Sequence, residues 1–185
     1  MLNKKMSKAE IEKFLKGKGD FVQIDYLARL LNEKEIPLDK KKFVYKKLAD
    51  LYEKKGMFRE VAKMYGKMAE ASIAFSEKNK NHVKEAEFCI LAGNFDAADE
   101  AIKKSMVEAN VSERAEIFIG IKQFYKEQAK ECEKKMKRSH AVKIYEKLLR
   151  MNLNKEEKQE IKKELVILYE KLGRLKEYFS MKKNK

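Results

Sequence analysis

Around Gly56 the apolar residues come in steps of three and four. Tyr45, Leu48, Ala49 and Tyr52 fall at i, i+3, i+4 and i+7, and after the glycine Phe58, Val61, Ala62, Tyr65 and Met68 make a second stripe. The spacing predicts helix, tight turn, helix. The glycine stands where the first helix stops, because a left-handed residue there costs glycine almost nothing. The pattern returns in weaker form as Ile11, Leu15, Phe21, Ile24, Ala28, Leu31; as Ala86, Cys89, Phe95, Ala98, Ile102; as Tyr125, Ala129, Cys132, Ala141, Tyr145, Leu148; and as Leu165, Val166, Tyr169, Leu175, Tyr178.

The copies share one frame. Gly19, Gly56 and Gly93 are 37 residues apart, each followed two residues later by phenylalanine (Phe21, Phe58, Phe95). The frame resumes after 43 residues at Met136 and after another 37 at Gly173, where Leu168-Tyr169-Glu170-Lys171-Leu172-Gly173 repeats Leu51-Tyr52-Glu53-Lys54-Lys55-Gly56. Five units are expected, at about 7–35, 39–78, 80–110, 112–152 and 154–183, forming a single domain over 1–185 with about ten helices. A lone amphipathic hairpin cannot bury its apolar face, so neighbours must stack. Ser112 as an N-cap, with Glu113 and Glu116 behind it, predicts one long helix from about Glu113 to Lys135. A second long helix is expected from Met57 to Ser76, ending in the polar cluster Glu77-Lys78-Asn79-Lys80-Asn81. Gly66 and Gly120 fall inside these helices, where close packing is the expected reason for them.

In the second unit, Tyr45-x2-Leu48-Ala49-x2-Tyr52 followed by Val61-x3-Tyr65 resembles the tetratricopeptide repeat, and Tyr125, Ala129 and Ala141-x3-Tyr145 of the fourth are similar. The resemblance spans about Ser7 to Met181. The copies depart from the family in a period of 37, no closing proline, Met136 for the turn glycine, and His82 and Glu85 at positions expected to be large and apolar. What the resemblance implies is an all-α, right-handed superhelical solenoid whose concave face, lined by the first helices, binds peptides or partner proteins.

Composition agrees with an all-α fold. The chain of 185 residues has one proline, seven glycines, no threonine and no tryptophan, while 44% apolar residues suffice for a core. Two cysteines far apart and a charged N-terminus, MLNKKMSKAE, predict neither a disulfide framework nor a secretory leader, hence a reduced, cytoplasmic setting. The apolar stretch from Ala115 to Ile121 is far short of the ~20 residues a spanning helix needs, so no membrane partner is expected.

Charge changes the picture more. Forty-four Lys and Arg against 30 Asp and Glu leave +14, unevenly placed. Lys122–Arg150 carries ten basic against four acidic residues, whereas Lys84–Ala101 carries one against five. Lys122, Lys126, Lys130 and Lys134 recur every four residues as a stripe. Ten and two residues before the turn positions stand Lys46 and Lys54, Lys126 and Lys134, Lys163 and Lys171. Under the resemblance these line the concave groove, and with Lys130 they predict a basic surface for an acidic peptide or protein partner. A solvated lysine face is the plainer reading of each one; recurrence across three units favours the groove. RNA or a ribonucleoprotein is the alternative partner for the same lysines, although only six of the basic residues are arginine. Self-association is a third reading, through Tyr178 and Phe179. No catalytic, cofactor or metal constellation is legible, so the chain is not expected to be an enzyme: His82 and His140 are far apart, and Cys89 and Cys132 fall on packing faces.

Overall fold

A computed structural model describes residues 5–107 and 109–183; the N-terminal residues 1–4 of the charged stretch lie outside the described residues. The described residues form ten helices: α1 Lys8–Leu15, α2 Asp20–Leu31, α3 Leu38–Lys54, α4 Phe58–Glu70, α5 Phe75–Leu91, α6 Phe95–Met106, α7 Val111–Lys134, α8 Arg138–Leu149, α9 Lys155–Lys171 and α10 Leu175–Lys183. The described residues form no strand, and helices adjacent in sequence pack on one another. Two compact units result, one up to residue 117 and one from residue 118.

The repeat frame is written in the turns. Gly56, Gly93, Met136 and Gly173 all hold a positive φ, between 58° and 71°. At each, the N–H of the turn residue donates to a carbonyl three back (Glu53, Ile90, Glu133, Glu170) at 2.8–3.1 Å. The next N–H donates to a carbonyl five back (Tyr52, Cys89, Cys132, Tyr169) at 2.8–2.9 Å. These are four copies of the Schellman stop, which satisfies carbonyls that the helix end would orphan. The first unit departs from the frame: Gly17 takes the left-handed conformation at φ 78°, and Gly19, at φ −63°, is the N-cap of α2. Accordingly Phe21 lies exposed, and Leu27 and Leu30 carry the packing of α2.

Charge spells out the same period. Glu12 of α1 pairs with Lys47 of α3, Lys42 of α3 with Glu77 of α5, and Lys122 of α7 with Glu157 of α9, each 35 residues apart, at 2.5, 2.8 and 3.1 Å. Within each unit, therefore, the first helices of successive hairpins lie side by side. Their second helices supply the rest of the core. Val61, Ala98 and Ala141, each five residues after its turn, are 0% exposed.

Other expectations need correction. The predicted helix from Met57 to Ser76 stops at Glu70, and the cluster 77–81 lies inside α5. The break is local: the Ser72 hydroxyl donates back to the Met68 carbonyl at 2.7 Å and accepts from Asn81 Nδ2 at 3.2 Å, offering the backbone an alternative to another turn. The long helix expected from Glu113 to Lys135 is present, but it starts at Val111. Asn110, not Ser112, closes its first turn, exchanging bonds with Glu113 at 2.8 and 3.0 Å in a capping box like those of Ser7 with Glu10 and Asn154 with Glu157.

The two mid-helix glycines separate. A Cβ on Gly66 would stand 2.8 Å from Glu85 Oε1, so the Glu85 side chain would have to move to admit one. Gly120 would meet nothing within 4 Å, and close packing is not its reason. Glu85 explains the anomaly of the third unit: it accepts from, or pairs with, His82 Nδ1 at 2.8 Å, and His82 is 5% exposed. A polar pair fills the space where the repeat elsewhere puts apolar side chains, and Gly66 makes room for it.

Candidate functional site

The seven predicted lysines divide by what lies beside them. Lys46 bonds Asp50 at 2.6 Å and reaches the Tyr65 hydroxyl at 3.4 Å. Burial works most strongly against its charge, but the Asp50 carboxylate and the Tyr65 phenol together outweigh it and hold Lys46 above its ordinary range. Lys54 pairs with Asp20 at 3.1 Å, where Lys55 joins it at 2.7 Å. The hydrogen bonds of Lys55 and Lys54 hold the Asp20 carboxyl below the usual carboxylate range.

Lys126 is taken most fully. Its Nζ lies 3.0 Å from Glu157 Oε1, and Lys122 reaches both oxygens of the same carboxylate at 3.1 Å. Glu157 also accepts from the Asn154 backbone N–H at 3.0 Å. Lys126, Asn154 and Lys122 together pull its pKa down to about 2. Lys122 and Lys126 of the α7 lysine stripe thus clamp the first turn of α9. Sequence reasoning missed Glu157, though two signals mark it: the Asn154-x2-Glu157 capping spacing and the 35-residue offset from Lys122.

Lys130, Lys134, Lys163 and Lys171 remain. All four are exposed and, among the described residues, none has an ion-pair partner. They belong to one unit, two on α7 and two on α9. On α9, Lys163 and Lys171 bracket Ile167, whose 43% exposure puts an apolar step between two cations one helical turn apart on either side. Lys126 and Lys130 line a crevice with Tyr145, Glu160, Ile161 and Glu164 that offers only 10 Å³, room for at most a single water. The crevice has no room for an enclosed small molecule.

Two buried phenols brace it from below. Tyr145 of α8 donates to Glu133 of α7 at 2.7 Å, and Tyr169 of α9 donates to Glu146 of α8 at 2.9 Å. Burial and these carboxylates push both phenol pKa values upward, so the hydroxyls stay protonated donors.

A second concavity, of 420 Å³, lies in the first unit, where Ser76, Asn79, Lys80, Val83 and Lys84 of α5 face Glu113, Glu116 and Ile117 of α7. Its floor is apolar and its rim carries both signs. Neither cysteine is activated as a thiolate: burial, reinforced by Glu85, pushes the Cys89 thiol up to about 11, and burial also raises Cys132. His82 turns to Glu85. Among the described residues no group of three His, Cys, Asp or Glu side chains is placed to hold a metal ion, and no helix is long and apolar enough to cross a membrane.

Compared with known proteins, the chain matches no family model, no curated protein and no solved structure, so its class rests on its own geometry: an all-α chain whose ten described helices pack in adjacent pairs, compatible with a helical repeat.

Proposed function

We propose that this chain is a tetratricopeptide-like solenoid that works in the cytoplasm as a protein-protein interaction scaffold, holding an acidic peptide or an acidic segment of a partner protein against α7 and α9. One observation carries the reading. Four exposed lysines with no ion-pair partner among the described residues stand on α7 (Lys130, Lys134) and α9 (Lys163, Lys171), and the two on α9 bracket the exposed Ile167. Uncompensated cations around an apolar step attract a segment that alternates carboxylates with an aliphatic side chain, and the lysine field speeds its arrival. The internal pairing of Lys46 with Asp50 and of Lys54 with Asp20 supports the second unit rather than the first as the surface.

The test is fluorescence anisotropy with a labelled peptide of alternating Glu and Leu, against the wild-type chain and a variant carrying Lys130→Glu, Lys134→Glu, Lys163→Glu and Lys171→Glu. The expected result is binding by the wild type and at least tenfold weaker binding by the variant, with circular dichroism and melting unchanged. Equal binding by both overturns the reading. A single-stranded RNA of the same length is the second probe. If RNA binds more tightly than the peptide, with a log-log salt slope of about −0.7 per phosphate contacted, the lysines serve nucleic acid instead.

A further inference from the structure

The helix α10 leaves exposed a face that α4 and α8 bury. Counting from the left-handed turn residue, position +6 is Ala62 in α4, Val142 in α8 and Phe179 in α10, with exposures of 4%, 0% and 56%. Position +2 is Phe58 in α4 and Leu175 in α10, and Leu175 is 60% exposed. In α4 and α8 this side is closed by the first helix of the next hairpin. α5 lays Phe88 over Phe58 and Tyr65, with ring centroids 6.2 and 5.5 Å apart, and α9 sends the Tyr169 hydroxyl to Glu146 of α8. None of the residues of α10 is buried.

The uncovered face has a definite chemistry. Leu175 and Phe179 stand one turn apart and form its apolar centre, with Tyr178 edge-on against Phe179 at 5.2 Å. At the helical angle per residue, Lys182 falls on one side of this pair and Lys183 and Lys176 on the other, while the sole acidic residue, Glu177, points away. Glu177 is already held by Arg174 at 3.2 Å, and Lys182 by the Tyr178 hydroxyl. Lys176 and Lys183 have no ion-pair partner among the described residues. The face is therefore an apolar stripe with basic flanks.

We propose that the Leu175–Phe179 face of α10 docks an amphipathic helix of a partner protein whose apolar stripe is flanked by acidic residues. The incoming helix takes the place on α10 that α5 takes on α4 and α9 on α8, and its carboxylates meet Lys176 and Lys183. This rests on the repeat reading of the fold but not on the groove lysines. Charge excludes the simplest self-pairing, because two copies of α10 laid antiparallel bring their basic flanks together.

The test uses the full chain and two labelled helical peptides with the same leucine stripe, one flanked by Glu and one by Lys. Leu175→Ser with Phe179→Ser removes the apolar centre; Lys176→Glu with Lys183→Glu reverses the flanks, and both pairs change only exposed side chains, so melting is expected to hold. The expected result is binding of the Glu-flanked peptide, at least tenfold weaker in the Ser variant, and a shift of preference to the Lys-flanked peptide in the flank-reversed variant. Loss of binding in the four-lysine groove variant but not in the Ser variant overturns the proposal while leaving the groove reading standing. Flotation of the chain with phosphatidylserine vesicles, abolished by the Ser variant and unaccompanied by peptide binding, overturns it in favour of a lipid surface. A mass that rises with concentration in sedimentation, and only in the wild type, overturns it in favour of a second copy.

Discussion

Lys126 donates from α7 to Glu157 at 3.0 Å, so a residue with the sequence signature of a groove cation works as a strut between two first helices. The same carboxylate closes the capping box of α9. Removing it withdraws four bonds, from Lys122, Lys126 and the Asn154 backbone, and leaves Lys122 and Lys126 without their shared partner. Glu157→Ala is expected to destabilise the chain by about 1–2 kcal/mol, in the range of a lost cap joined to a lost charge-assisted bond, measured by urea denaturation. An unchanged midpoint would show that the clamp contributes nothing.

Acid should act through the same group. The folded-state pKa of Glu157 is lowered from 4.5 to about 2, so its stabilisation is fully present above the unfolded value and is lost as pH falls through the window between the two. Thermal melting of the wild type is expected to fall over that window more steeply than melting of Glu157→Gln. Parallel acid limbs would contradict the assignment.

Met136 does with a side chain what three glycines do without one. It holds φ 58° at the same Schellman stop, with its side chain 66% exposed. An L-residue in that region costs roughly 1–2 kcal/mol, and little packing is lost by truncation. Met136→Gly is expected to stabilise the chain by about 1 kcal/mol, and Gly93→Ala to destabilise it by a similar amount. Chemical denaturation of both variants checks the pair, and the same sign for both would remove the frame equivalence.

Gly66 and Gly120 should respond in opposite directions to alanine. At Gly120 nothing lies in the way, and the better helix former is expected to add about 0.5–1 kcal/mol. At Gly66 the new methyl displaces Glu85 from His82 and leaves a buried imidazole without its partner, a loss of about 1–3 kcal/mol that exceeds the gain. In a Glu85→Ala background Gly66→Ala is then expected to become neutral or stabilising. A double-mutant cycle with no coupling would break this account.

The thiols provide a chemical check. Cys89 is buried at 6% exposure with its pKa raised to about 11, while Cys132 is only partly buried and also raised. A neutral-pH thiol reagent is expected to label Cys132 first and Cys89 only at the rate of local unfolding. Fast labelling of Cys89, read by mass spectrometry, would place it in a more open setting than its packing against the neighbouring helices allows.

What the sequence determined by itself was the periodic part of the molecule. Four of the turn positions read from the 37- and 43-residue spacings are the left-handed residues, Met136 included, because a helix stop needs a particular backbone conformation and the apolar stripes before and after it fix its register. The faces carrying Leu48, Val61, Ala98, Ala141 and Tyr169 were legible for the same reason. Where the period slipped, local chemistry misled: Ser112 is a good cap residue, yet Glu113 bonds Asn110, and the stretch 71–74 holds no glycine or proline to announce its break.

Only the tertiary structure decided which lysines are free. Lys126, Lys130 and Lys134 share one stripe, yet Lys126 is neutralised by Glu157 and the other two are not, because that depends on α9 lying against one end of α7. Spacing along one helix orders residues on its face, but a counter-ion 31 residues away is brought to that face by packing alone. The same holds for Gly66, His82 and Glu85, a set divided between α4 and α5 whose size and polarity make sense only once the two helices touch.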